Sequence, residues 1–277
     1  MIWTLLSALV LAFVLVWVGL PALLGALGLH RHYNAPKRDL KGKRALVIAT
    51  SHDTLGDTGK KTGVFASEMT APYYTFLDAG MDVDVASIHG GKIPVEPMSV
   101  KWPLVSPFDS RFLKDKVFRR KTEAAKPVSE IDGGKYDAVF LAGGWGAAFD
   151  FEQSPELGKL LLDADAHGAV VGGVCHGPLG LLAAKQGNGH PLVAGRRLTA
   201  VTDKQVKELG ITHTPRHPER DLRAAGAHFE SATGFRDIFA SHVVADGRLV
   251  TGQNQNDGAE TADRMMQVIL EGTSKGD

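Results

Sequence analysis

The sequence predicts an α/β fold: a three-layer sandwich with a mostly parallel central sheet, preceded by an N-terminal transmembrane helix. Three observations predict it. From residue 44 onward β-rich runs alternate with helical segments, the pattern that gives a sheet covered on both faces. Apolar runs end in glycines at 143–144 and around residue 175. Residues 1–29 carry no Asp, Glu, Lys, Arg or His at all. The 277-residue chain balances 31 Lys+Arg against 31 Asp+Glu, which removes the basic stripe expected of a nucleic-acid binder. With 44% hydrophobic residues it can bury a real core, and its single cysteine, Cys175, excludes an internal disulfide and any multi-thiolate zinc site.

The elements follow in chain order. About 20 helical residues cross a bilayer's hydrocarbon layer, and Ile2–Leu20 meets that length before Pro21. Trp3 and Trp17 suit its two interfaces. The missing basic n-region and the absence of a clear A-x-A site argue against a cleaved signal peptide. Residues 1–29 are therefore expected to be a membrane anchor in contact with the lipid bilayer, and 30–43 a basic linker. Arg31, Lys37, Arg38, Lys41, Lys43 and Arg44 all follow the span, which places the C-terminal domain in the cytoplasm by the positive-inside rule.

Residues 44–277 form the expected catalytic domain. RALVIAT (44–50) reads as the first strand, and 67–79 as a helix with Pro72 in its first turn. MDVDVASI (81–88) alternates as a strand does, and 89–133 is irregular with basic helical pieces near 110–125. YDAVFLAGG (136–144) is a buried strand, 155–167 a helix, AVVGGV (169–174) a strand and 178–186 a helix. RLTAVT (197–202) is a further strand, 242–252 a hairpin turning at Asp-Gly, and ETADRMMQVILEG the closing helix.

Chemistry concentrates where a strand meets a helix. Gly173-Val174-Cys175-His176-Gly177 has the small-x-nucleophile-x-small form of an elbow, whose tight turn projects the nucleophile outward. A helix beginning there, beside His176, is expected to lower the thiol pKa. Gly143 or Gly144 in GGWG (143–146) offers backbone amides for an oxyanion. Glu68 lies near the start of the first helix of the domain; an isolated glutamate there is ordinarily a solvated partner of the helix dipole. His213, His217, His228 and Glu219 fall in a proline-containing stretch read as an exposed loop rather than a metal site, and no metal or cofactor is expected. His89 and His190 carry no pattern, and the basic run 112–121 reads as a solvated helix face.

The segments TGVFASEMTAPYYTFLDAGMDVDVASIHGGKIPVEPMS, FLAGGWGAAFDF, GVCHGPLGLL and LVTGQNQ together resemble the ThiJ/PfpI superfamily, nearest its glyoxalase III, deglycase and chaperone branch. The resemblance runs from about Lys43 to Leu270 and implies the class I glutamine amidotransferase-like fold. It implies Cys175 as nucleophile, His176 as adjacent acid/base, Glu68 as the carboxyl group at the sulfur, and Gly144 on the oxyanion side. Gly143, Trp145 and Gly177 then border the pocket. The implied activity is on small reactive carbonyls, methylglyoxal to lactate without glutathione, or a deglycase-type hydrolysis. A cysteine amidase or peptidase using the same elbow stays open, as does a non-enzymatic chaperone or oxidation sensor acting through Cys175. Dimers are common in that superfamily, so a homodimer is one expected state. Two positions depart from the family pattern. Trp145 replaces a histidine of GGHG. Val206 fills the slot of the acid that orients the histidine, with Asp203 and Glu208 flanking it.

Overall fold

A computed structural model describes residues 2–31 and 33–273. Met1, His32 and residues 274–277, the last four of the expected domain, lie outside the described residues. The chain opens with α1 (Ile2–Val14), a π-helical turn (Leu15–Gly19) and α2 (Leu20–Ala26). The domain then runs β1 (Arg44–Ala49), α3 (Ala66–Asp78), β2 (Asp82–Ser87), α4 (Pro107–Phe112), α5 (Lys116–Glu123) and β3 (Lys126–Pro127). After it come β4 (Ala138–Leu141), α6 (Ala147–Asp150), α7 (Pro155–Ala166), β5 (Val170–Val174), β6 (Arg197–Leu198), α8 (Asp203–Glu208) and α9 (Pro218–Ala224). The chain closes with β7 (His228–Phe229), β8 (Val243–Asp246), β9 (Leu249–Gly252) and α10 (Gly258–Thr273).

Seven strands make the central sheet in the order β3-β2-β1-β4-β5-β9-β8, all neighbours parallel except the β8–β9 hairpin. Strand β1 shows why the sheet is covered on both faces. Ala45, Val47 and Ala49 face one core, with Met69 and Phe76 of α3 and Met265 of α10. Leu46 and Ile48 face the other, with Leu157, Leu160 and Leu161 of α7. A strand whose successive side chains are all buried reads as a continuous apolar run, as RALVIA does. The chain winds outward from β1 through β2 to β3, and from β4 through β5 to β9. This reversal opens a crevice at the carboxyl ends of the strands, where ligands bind in such sheets.

Several expectations need correction. Pro72 sits in the second turn of α3 rather than the first. Lacking an N–H, it leaves the Glu68 carbonyl without its helical donor. The segment after the elbow is a 3₁₀ helix, Gly177–Leu182, not an α-helix over 178–186. Only Arg197–Leu198 of RLTAVT is strand, paired with β7 in a separate two-stranded sheet. The supposed exposed loop around His217 contains α9.

The N-terminal helix offers one window long and apolar enough to cross a membrane, Leu9–Ala26, with none of it buried. By length and composition it fits a span or a signal sequence. The 30–43 segment differs from a loose linker, because it is strapped to the domain. Leu29 and Leu40 are buried. The His30 N–H donates to Asn256 Oδ1 at 2.8 Å, and the Leu40 N–H to the Ala79 carbonyl at 2.8 Å. Asp263 on α10 is the central fastening. It accepts from Tyr33 Oη at 2.8 Å and from Arg38 Nε and Nη2 at 2.6 and 3.0 Å. The segment reads as a basic linker in sequence because the acid that Arg38 meets lies 225 positions away. Asp263→Ala would leave the half-buried Arg38 guanidinium without its partner. We expect a loss of about 3 kcal/mol in urea unfolding, whereas Lys37→Ala, on the exposed side, should change it little.

Candidate active site

Cys175 lies one residue past β5 with φ +58, and only it and His30 are non-glycine residues with positive φ among those described. A non-glycine residue in the left-handed region costs energy and marks an elbow. The flanking glycines are there because no side chain fits. A Cβ on Gly173 would stand 2.4 Å from the Leu141 carbonyl oxygen, and one on Gly177 2.1 Å from the same atom. The Cys175 N–H donates to the Gly252 carbonyl at 3.2 Å, tying the elbow to the end of β9.

Three expected residues meet at the sulfur. Glu68, in the first turn of α3, is buried with its carboxyl beside the Cys175 thiol, and its Oε2 has no hydrogen-bond partner among the described residues. His176 Nδ1 lies 3.3 Å from Sγ. The Gly144 and His176 backbone amides lie near enough to the sulfur to favour its thiolate, against the larger effect of burial. Gly144 has φ +106 and no space for a Cβ against Phe65 N. Gly143 acts by lacking a side chain. A Cβ there would stand 2.4 Å from Glu68 Oε2 and 2.8 Å from His176 N, so any other residue would push the carboxyl off the elbow. Trp145 is half-buried and packs against the core cluster that contains Cys175.

Burial dominates the electrostatics. Cys175 is 6% exposed, Glu68 1% and His176 1%. Burial pushes the Glu68 carboxyl well above the usual carboxylate range, and the nearby Asp257 charge adds to this. Burial therefore favours the protonated carboxyl over the carboxylate. Burial also pushes the Cys175 thiol well up, with the Glu68 carboxyl acting the same way. This reverses the expectation of a lowered thiol pKa. A short 3₁₀ turn supplies little dipole, and His176 supplies no positive charge because burial holds its pKa down to about 3. The imidazole is thus neutral. Iodoacetamide labelling of Cys175 is expected to titrate above the ordinary thiol value of about 8.5. Glu68→Gln, which removes a carboxyl that adds to the effect of burial, should move the midpoint down. A midpoint below 8.5 or an unmoved one would refute this account.

Among the described residues no carboxylate orients the histidine. His176 Nε2 is buried with no hydrogen-bond partner among the described residues. Val206 is buried in the same apolar cluster as Cys175. Asp203 turns to His217 Nδ1 at 3.5 Å, and Glu208 accepts from the Asp237 N–H at 2.8 Å, so neither flanking acid takes up the role. Among the described residues no group of three His, Cys, Asp or Glu is placed to hold a metal ion, and Glu219 pairs with Arg223.

One residue escaped sequence reasoning. Asp257 is buried at the turn after β9, with its pKa raised by burial to about 6. Its carboxylate accepts from Ser241 Oγ at 2.6 Å and from the Gln253 and Asn254 N–H groups at 2.8 and 3.1 Å. It thereby shapes the Gly252–Asn256 turn beside the elbow. The only sequence signal was Asp257-x-x-Glu260 before the closing helix, a capping-box pattern.

Comparison with known proteins finds relatives of the same fold. The model of the DJ-1/PfpI family matches residues 61–268. A glutathione-independent glyoxalase of Saccharomyces cerevisiae is 30% identical over 238 residues, covering 82% of this chain and 98% of the relative. The crystal structure of glyoxalase III from Candida albicans superposes with a TM-score of 0.72 at 27% identity, covering 82% of this chain and 97% of that one. The Rapid Encystment Protein of Francisella tularensis superposes with a TM-score of 0.77 at 31% identity, covering 82% and 99%.

Proposed function

Since the chain belongs to the DJ-1/PfpI family, we propose that it is a glutathione-independent glyoxalase of the glyoxalase III type, converting methylglyoxal and water to lactate with Cys175 as nucleophile. The observation that carries this reading is the strained elbow cysteine with His176 Nδ1 3.3 Å from its sulfur and the buried Glu68 carboxyl beside it.

The protonation states suggest a division of labour. The Cys175 sulfur bonds to the aldehyde carbon, and its proton passes through His176 Nδ1 to the aldehyde oxygen, giving a hemithioacetal. Neutral His176 then takes the hydrogen of that carbon while protonated Glu68 gives its proton to the neighbouring ketone oxygen, giving an enediol. Histidine returns its proton to the former ketone carbon, and Glu68 recovers one from the hydroxyl beside sulfur. The product is a lactoyl thioester, which water cleaves to lactate and free thiol. No electron leaves the substrate; one carbon is oxidised as its neighbour is reduced.

The test is lactate formation from methylglyoxal by the full chain without glutathione. Stoichiometric lactate supports the proposal. Ammonia release from amides with no lactate would favour an amidase, and a peroxide-dependent mass gain on Cys175 with no turnover would favour an oxidation sensor.

The apolar N-terminal helix is proposed to be a retained anchor with the domain on the cytoplasmic side. Its support is the uncharged stretch followed by Arg31, Lys37 and Arg38. We expect the intact chain to stay with membranes through a carbonate wash, and Edman sequencing to start at the N-terminal Met or Ile2. A chain starting near residue 29 would identify a signal sequence instead.

A further inference from the structure

We infer that the domain does not hang free of its anchor but docks on the bilayer with the Cys175 edge of the sheet, through Met98 and Trp102 on one side of the anchor and Phe235 on the other. The inference rests on the anchor reading above and adds an orientation to it.

The route of the chain fixes which edge faces the lipid. Beyond the apolar helix, His30 is held by Asn256, in the turn after β9, and by the carbonyl of Leu104. Both belong to the edge where β4, β5 and β9 end and where Cys175 sits. The strap then crosses α10 at Asp263, reaches the end of α3 at Ala79, and enters β1 at the opposite edge. The anchor therefore leaves the domain from the catalytic edge.

The surface around that exit is apolar where a soluble face would be polar. Phe235 is 92% exposed, Met98 53% and Trp102 36%. The Trp102 ring lies 4.6 Å from that of Trp17 on the helix, so the 98–102 loop follows the anchor toward the membrane. On the other side Gly28 abuts the Phe239 carbonyl, at 2.7 Å from where a Cβ would sit, bringing the segment that carries Phe235 to the base of the helix. Indole rings favour the membrane interface, and an exposed phenylalanine beside a span loses its cost there. The exposed cations next to these side chains, Arg31, Lys101 and Arg236, match an anionic leaflet.

The test uses the full chain with Cys175→Ser, carrying Met98→Cys, Phe235→Cys or Lys135→Cys one at a time, each labelled with the environment-sensitive fluorophore NBD. Lys135 precedes β4 at the far edge. In nanodiscs of phosphatidylcholine and phosphatidylglycerol, brominated acyl chains should quench the labels at 98 and 235 roughly twofold or more and leave 135 unaffected. Quenching at either 98 or 235 no greater than at 135, in intact chains that entered nanodiscs, overturns the docking and leaves the anchor standing. Chains that fail to enter, or that lack residues 1–28 by mass, overturn the anchor and the docking together.

Discussion

Cys175→Ser is expected to lower lactate formation from methylglyoxal by roughly 10³-fold or more while the domain remains folded. Serine keeps the length and branching of the side chain, so the elbow with φ +58 and the glycine packing against Leu141 are undisturbed. Thermal stability should change by no more than about 1 kcal/mol. What is lost is the nucleophile. A buried hydroxyl beside an imidazole whose pKa is pushed down to about 3 has no strong base to activate it. The measurement is single-turnover and steady-state lactate production alongside the unfolding curve. A serine variant that keeps a tenth of the activity would remove Cys175 from the chemistry and return it to being a small buried core residue.

Much of this site was legible in the sequence because its constraints are local. An elbow needs small residues on both sides of the nucleophile, so Gly173 and Gly177 announce Cys175 within five positions. The strands around it are equally local: RALVIA and AVFL are buried on both faces, and a continuous apolar run says so. Glu68 was different. From its neighbours it is a helix-start glutamate, and only the family resemblance put it at the sulfur. The fold does so by running α3 against β1 so that its first turn meets the end of β5.

The failures share a physical cause: each depended on what a residue meets across the fold. The direction of the thiol pKa was misread because an α-helix was expected after the elbow. In the fold the turn is 3₁₀, and desolvation, which no local pattern encodes, outweighs any dipole. The 30–43 segment was read as a linker because its cations are visible in sequence and their partner Asp263 is not. Asp257 was missed because its importance lies in backbone amides of its own turn and in its charge near Glu68.

Glu68→Gln is expected to lower turnover by roughly 10²-fold or more with folding intact. Two readings of this residue make opposite forecasts. As a helix-start carboxylate it would lose at most about 1 kcal/mol of stability on conversion to an amide and leave the chemistry alone. The buried residue is different: desolvation favours its protonated carboxyl, which a neutral amide of the same shape mimics. Relative to the parent, the variant's stability should rise from about pH 4.3 upward, where the unfolded carboxyl ionises and the folded one holds its proton, and the gain should level off above the raised folded-state value. A group with a raised folded-state pKa contributes stability below its unfolded value, near 4.3, and that contribution is lost as pH climbs through the raised one. The amide has no proton to lose. It can still donate a hydrogen bond to the ketone oxygen but cannot transfer a proton to it. Its residual turnover should therefore lack the decline that the parent shows as Glu68 ionises. Parallel pH profiles of turnover and of unfolding free energy separate the two readings. Unchanged turnover with weakened folding would make Glu68 a structural residue, whereas a falling rate with a flattened alkaline limb identifies the acid that protonates the substrate.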